Sequence, residues 1–368
     1  EFDTFKGLPG LLADVLPDKY GNQMINLWLA QQGRPENSMN PVEQLCFIGS
    51  RGMGALEFEP TNQQPNEKAQ KIEISSLVDV ASNMLKNRES FKANLDSYEE
   101  TTIKQLITIG TSAGGARPKA VIAYNEETGE VRSGQTKTPK GFTHWIIKLD
   151  GVNDVQLGST RGFGRVEMAY YLMAKAAGIQ MANCKLFEEN GRAHFMTERF
   201  DREGSSTKHH LQTFCALKHC DFNEVNSFSY EQLFQTLREL HLSYPEAQEL
   251  FRRMVFNVLS KNCDDHTKNF SFLLKKNEKW SLAPAYDLSF AYRADSIWVS
   301  QHALSINGKR KGITYDDFLK LAKNMNIKNA KKIIEEVNLT VSHWKKFASE
   351  VNVSSEITEH IANNLITF

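Results

Sequence analysis

The spacing of apolar positions divides the chain into a mixed opening part, a strand-rich middle and a helical end. Asn40-Pro41-Val42-Glu43 supplies a cap, a proline at the first helical position and a first-turn acid, so a helix is predicted from there to Gly49. Gly52 to Pro60 alternates in the manner of a strand, and Pro60 to Pro65 reads as a polar linker. Ser75 to Lys86 places Leu77, Val80, Met84 and Leu85 on a helical period. From about residue 106 the period shortens to two. Lys119–Asn125, a turn at Glu126–Gly129, Phe142–Leu149 and His194–Phe200 predict an antiparallel sheet. Between them Gly164–Ala177 is helical, with Val166, Tyr170, Met173 and Ala177 on one face. After Asp201-Arg202 the pattern is mostly helical, at Tyr230–Leu240, Pro245–Ser260, Tyr315–Asn324 and Asn329–Glu350.

That order predicts an α/β (α+β) chain with three parts: a subdomain over 1–105, a sheet-rich lobe over 106–202 and a helical lobe over 203–368. At 368 residues, 40% hydrophobic and 24% charged, the chain has enough apolar surface for a substantial core. Its 44 basic and 44 acidic residues cancel, so no strong direct attraction to nucleic acid or to an anionic membrane is expected. The five scattered cysteines, an odd number, suit a reducing compartment. With no apolar run of about 18 residues and no signal-peptide pattern, a cytoplasmic location is expected. The chain begins at Glu1 rather than Met, which predicts that an N-terminal piece is missing or removed.

Chemistry concentrates at Asn262-Cys263-Asp264-Asp265-His266-Thr267-Lys268-Asn269 and at Asp287. Protein kinases place a catalytic Asp and a metal-binding Asn five positions apart on one loop, then supply a second metal-binding Asp from the next hairpin. Asp264, Asn269 and Asp287 follow that layout. An Asp there can accept the proton of an attacking hydroxyl while the Asn carbonyl helps to hold a Mg²⁺ that bridges phosphates. Phe270–Leu274 and Trp280–Pro284, separated by Lys275–Lys279, predict the hairpin that returns Asp287 toward Asn269. The bland alternative is that Asp and Asn build Asx turns at the loop ends. His266 is placed to orient the Asp or a phosphate, and Lys268 to neutralise phosphate charge.

Two upstream features add to this. Ser112-Ala113-Gly114-Gly115-Ala116-Arg117-Pro118-Lys119 is a small-residue loop before a strand, able to bring backbone N–H groups close to phosphate oxygens, or simply a turn. Lys148 lies in Trp145-Ile146-Ile147-Lys148-Leu149, where a strand lysine either meets an anion or points outward, and Glu167 is the nearest helix acid that could hold it. A cluster of His209, His210, Cys215, His219 and Cys220 has zinc-ligand types, but its spacing fits no usual finger. Leu211, Phe214 and Leu217 among them fit the buried side of a helix or turn.

Taken together, the 111–120 loop, Trp145–Leu149, Thr197-Glu198-Arg199-Phe200-Asp201-Arg202, Asn262–Ser271 and Ala283–Ser289 resemble the HipA family of bacterial serine/threonine kinases, the toxins of HipA–HipB pairs. Gly7–Asp18 is similar to the family's N-terminal region, whose opening strands have no counterpart here. The resemblance implies a two-lobed protein-kinase-like fold, with a sheet-rich N-lobe, an all-helical C-lobe and an extra N-terminal subdomain. It implies ATP and Mg²⁺ as cofactors, with Asp264 as catalytic base, His266 beside it, and Asn269 and Asp287 as Mg²⁺ ligands. Ser112, Ala113, Gly114, Gly115, Arg117, Lys119, Lys148, His266 and Lys268 would contact the nucleotide, and Glu198 and Phe200 would lie at its adenine. Ser112 would be the autophosphorylated serine. The implied partners are a DNA-binding HipB-like antitoxin and a Ser/Thr protein target such as an aminoacyl-tRNA synthetase. Two other readings stay open: a non-catalytic kinase-like module that binds an antitoxin as corepressor, and a kinase for a non-protein acceptor. Asp265 stands where the best-known member has Gly, and Arg117-Pro118 where it has Gln-Glu.

Overall fold

The structure, a computed structural model, describes residues 2–61, 69–86, 107, 109–110, 117–134, 137–154, 158–159 and 161–368. The chain forms two compact units built from separated segments. A sheet unit comprises residues 15–164 and 183–210, and a helical unit comprises 1–14, 165–182 and 211–368. A linear division at 105 and 202 does not capture this grouping, because the first turns of the chain belong with the late helices. Asp14 accepts hydrogen bonds from the backbone N–H and the hydroxyl of Thr213, both at 2.7 Å. Gly10 lies so close to Ala216 that a Cβ would stand 2.1 Å from its carbonyl oxygen.

The sheet unit is built on five antiparallel strands: β1 (Lys119–Asn125), β2 (Val131–Ser133), β3 (Phe142–Lys148), β4 (Cys184–Glu189) and β5 (Arg192–Glu198), in the order β2-β1-β3-β5-β4. Trp145, Ile147, Ala120, Ile122 and Met196 line one face of it and join a core with Tyr20, Met24, Phe47, Leu77 and Val78. Those last residues come from the helices Lys19–Gln31, Pro41–Ile48 and Ile74–Lys86. The Pro41–Ile48 helix starts as its sequence predicts. Asn40 accepts from the N–H of Glu43 and Glu43 accepts from the N–H of Asn40, both at 2.9 Å, and Gly49 ends the helix at φ 57°. Asn40→Ala is expected to cost about 1 kcal/mol. Faster amide exchange in Leu45–Ile48 would report that loss.

Two expectations need correction. Gly52–Pro60 forms no strand but a succession of bends. Side chains from beyond β5 take backbone carbonyls in it and just before it: Arg202 donates to Gly52 at 2.8 Å and to Gly54 at 2.9 Å, and Lys208 donates to Ser50 at 2.6 Å. The helix expected over Asn329–Glu350 is two helices, Ala330–Ser342 and Trp344–Glu350. The break at His343 (φ −90°, ψ 17°) lets Trp344 turn inward, where it is 1% exposed and its indole N–H donates to the Thr358 carbonyl at 3.0 Å.

In the helical unit, Phe163–Ala176, Tyr230–Glu239, Tyr244–Leu259 and Tyr315–Met325 contribute to one large core containing Tyr170, Met173, Leu233, Phe251, Phe256, Phe318 and Trp344. Its one small sheet joins 210–213, 271–274 and 281–282, and the last two strands are the predicted hairpin, paired as Phe272 with Leu282 and Leu273 with Ser281. Among the described residues no helix is long and apolar enough to cross a membrane.

Candidate active site

The loop 262–269 follows the Tyr244–Leu259 helix and is locked at its entry. The Asn262 N–H donates to the Asn257 carbonyl at 2.9 Å, its side-chain amide donates to Asn257 Oδ1 at 3.0 Å, and the Cys263 N–H donates to Ala291 at 3.0 Å. The loop closes in a 3₁₀ turn over Thr267–Asn269, pinned by the Thr267 hydroxyl donating to the Cys220 carbonyl at 2.7 Å. Between these anchors the two adjacent aspartates are treated oppositely. The Asp264 side chain is 52% exposed, whereas that of Asp265 is fully buried.

Asn269 Nδ2 donates to the Asp264 carbonyl at 2.7 Å, which ties the two residues together and leaves the amide oxygen as the group available to a ligand. His266 Nε2 lies 3.8 Å from Asp264 Oδ1, and its ring packs against Phe222. Lys268 Nζ stands 4.7 Å from the centre of the same Phe222 ring. The hairpin brings the Asp287 segment back to this loop, because the Tyr286 hydroxyl donates to the Lys268 carbonyl at 2.7 Å and is also hydrogen-bonded to Ser271. Asn262, Asp265, Asn269 and Tyr286 border one small cavity of about 10 Å³. Asp287 itself has φ 54°, the left-handed region that Asp visits more readily than bulky residues do. The donor set offered by Asn269 and Asp287, an amide carbonyl and a carboxylate, is hard oxygen of the kind Mg²⁺ takes with phosphate and water.

Behind the loop, Asp265 Oδ2 accepts from the Tyr230 hydroxyl at 2.7 Å and pairs with His302 Nδ1 at 3.0 Å, while Oδ1 accepts from the Ala303 N–H at 2.8 Å. Burial alone would lower the His302 pKa, but the Asp265 charge and hydrogen bond carry it up to about 10, so the ring is an imidazolium at neutral pH. Arg253, buried in the Tyr244–Leu259 helix, donates to the Ala283 carbonyl at 2.8 Å and so holds the hairpin's return strand. Tyr230, Arg253 and His302 carry no motif. The Asp264-Asp265 doublet was the only local signal pointing toward them.

In the sheet unit, Lys148 on β3 stands in register with Lys119 on β1 on one side and Phe195 on β5 on the other. Alternation places these three on the face opposite Trp145 and Ile147. Lys148 Nζ is 5.7 Å from the Phe195 ring centre, and Lys119 is buried. Arg117 stacks over Phe163 at 4.5 Å. Glu198 closes β5, accepting from Asn183 Nδ2 at 2.8 Å, and Phe200 lies in the turn beyond it. Ser112, Ala113, Gly114 and Gly115 fall outside the described residues.

The residues with zinc-ligand chemistry serve other contacts. His209 pairs with Glu203 at 2.9 Å, and His219 accepts from the Gly10 N–H at 3.0 Å and stacks on Phe5. Burial pushes the Cys215 and Cys220 thiols up to about 12 and about 11. Among the described residues no group of three or more His, Cys, Asp or Glu is disposed to hold a metal.

Comparison with known proteins gives this geometry a family. A curated protein of Haemophilus influenzae named "Putative kinase" is 31% identical over 103 residues, which are 25% of this chain and 29% of that protein. Y4mE of Sinorhizobium fredii, which carries the same description, is 24% identical over 203 residues, 53% of this chain and 42% of that protein. The chain thus spans less than half the length of either curated relative. Among solved structures, a chain of the Shewanella oneidensis MR-1 toxin–antitoxin complex of HipA, HipB and operator DNA superposes with a TM-score of 0.66 at 17% identity, covering 93% of this chain and 83% of that one. The two-lobed, kinase-like α/β fold is therefore shared. Residues 1–59 match the HipA N-terminal domain and residues 111–344 the HipA-like C-terminal domain, so the chain belongs to the HipA family.

Proposed function

We propose that this chain is an ATP-dependent serine/threonine protein kinase of the HipA toxin type, acting in the cytoplasm. The observation that carries the reading is the contrast within the aspartate doublet. One carboxylate is held half-exposed on a loop tied to Asn269, and the hairpin delivers the Asp287 segment to the same loop. An Asx-turn role would not require that convergence.

In this reading Asp264 accepts the proton of the acceptor hydroxyl, and His266 helps to orient it. Lys148 and Lys119 stand opposite each other across β1 and β3, and in this reading both bring positive charge to the ATP phosphates. Arg117, Lys268 and the Ser112–Gly115 loop contribute further phosphate contacts, and Glu198 and Phe200 receive the adenine. Asn269 and Asp287 would hold Mg²⁺, whose part is to neutralise charge on the phosphates. A HipB-like DNA-binding antitoxin is the proposed partner, supported by family membership, and a translation component such as an aminoacyl-tRNA synthetase is the proposed target.

Intact-mass measurement after incubation with ATP and Mg²⁺ tests the activity. A gain of about 80 Da, mapped to Ser112 and absent from Asp264→Asn, is the expected result. An unchanged mass, together with no transfer to serine- or threonine-containing proteins and no ATP binding, would favour a non-catalytic antitoxin-binding module.

A further inference from the structure

Asp264 is flanked by two residues that meet the same buried imidazole. His302 Nδ1 pairs with Asp265 Oδ2 at 3.0 Å, and its Nε2 lies 3.8 Å from Cys263 Sγ. His302 is 4% exposed and Asp265 and Cys263 are each 1% exposed, so this brace lies wholly inside the protein. Both Asp265 oxygens are occupied, one by the Ala303 N–H and the other by Tyr230 and His302. Those donors come from the Tyr230–Glu239 helix and from the segment after residue 300. The Tyr230 hydroxyl is itself held, accepting from Asn257 Nδ2 at 3.1 Å, and Arg310 donates to the Ala303 carbonyl. The peptide bearing Asp264 is therefore fixed on both sides by the buried Cys263, Asp265 and His302.

We infer that Asp265 and His302 are positioning residues that hold the Asp264 carboxylate in its reactive place, setting the rate of phosphoryl transfer while leaving nucleotide affinity alone. The inference rests on the kinase reading above. The geometry separates the two quantities because the hydrogen bonds of Tyr230 and His302 to this loop go to Cys263 and Asp265, the residues on either side of Asp264.

The test measures initial rates of phosphate incorporation into the chain and of ADP release against ATP concentration. His302→Ala is expected to lower kcat by about 10²-fold, the cost of misplacing a reacting group by about an ångström, with KM for ATP unchanged. Tyr230→Phe, which removes one hydroxyl from the same carboxylate, should show the same split with a smaller fall and serves if His302→Ala does not fold. Because His302 acts through Asp264, adding His302→Ala to Asp264→Asn should leave the residual rate where it was. A purely structural role would lower it again. If the parent chain transfers no phosphate, the kinase reading falls and this inference with it. If the parent is active but the variants keep its kcat, raise KM in proportion, or lose further rate in the Asp264→Asn background, the inference alone is overturned.

Discussion

Asp264→Asn is expected to lower phosphoryl transfer by about 10²- to 10⁴-fold, the range attributable to a general base, while ATP and Mg²⁺ binding stay close to those of the parent chain. Asparagine has nearly the same shape and keeps an oxygen in place, but it cannot accept the hydroxyl proton at neutral pH. The bond from Asn269 goes to the Asp264 backbone carbonyl and not to its carboxylate, so the substitution leaves the tie between the two residues intact. With more than half of its side-chain surface exposed, Asp264 also contributes little to the fold. Asp287→Asn should behave differently: it removes a charge from the proposed metal site, so its main effect is weaker metal-dependent nucleotide binding. Single-turnover transfer and calorimetric ATP·Mg²⁺ titration on both variants separate the roles. Equal losses of binding in the two would contradict the assignment of Asp264 as base and Asp287 as metal ligand.

The loop 262–269 and its return hairpin were legible in the sequence because their logic is local. Asp264 and Asn269 are five positions apart, and Asp287 returns through a hairpin whose apolar runs and polar turn stand out in the chain. Strand β1 was legible for a similar reason, since its predicted range, Lys119–Asn125, is the observed one. What was not legible depends on distant partners. Asp265 reads as a second acid beside the first, and only the fold shows Tyr230 and His302, 35 and 37 positions away, converging on it. Gly52–Pro60 has the alternation of a strand, yet its carbonyls at Gly52 and Gly54 are claimed by Arg202 some 150 positions later, so no sheet edge is offered to it. Asn329–Glu350 keeps a helical period across the break because the period records which side is apolar. It does not record the turn at His343 that brings Trp344 inward.

Asp201→Asn is expected to destabilise the sheet unit by about 3–5 kcal/mol, the usual cost of removing one member of a buried ion cluster. Arg199 grips the carboxylate with two bonds, at 2.9 and 2.7 Å, Arg202 adds a third at 2.8 Å, and the Gly54 N–H a fourth at 2.7 Å. All three side chains are almost fully buried, at 1%, 6% and 1% exposure for Arg199, Arg202 and Asp201. An asparagine amide would turn an N–H group toward one of these donors and leave two guanidinium charges without a counterion. Burial by itself would raise the Asp201 pKa, but the charges of Arg199 and Arg202 outweigh it and hold the carboxyl well below the usual carboxylate range. The pH dependence follows from that direction. A group with a depressed folded pKa gives stability that is complete above its unfolded value, about 3.9, and that is lost as pH falls through the folded one. The parent chain should therefore lose this contribution only in strong acid, and Asp201→Asn should lack that part of the acid transition. Hydrogen exchange locates the effect. Amides of residues 50–58 and of β5 are expected to lose protection, while those of the Tyr244–Leu259 helix keep theirs. Unchanged exchange at Gly54 would mean that the cluster does not hold this loop.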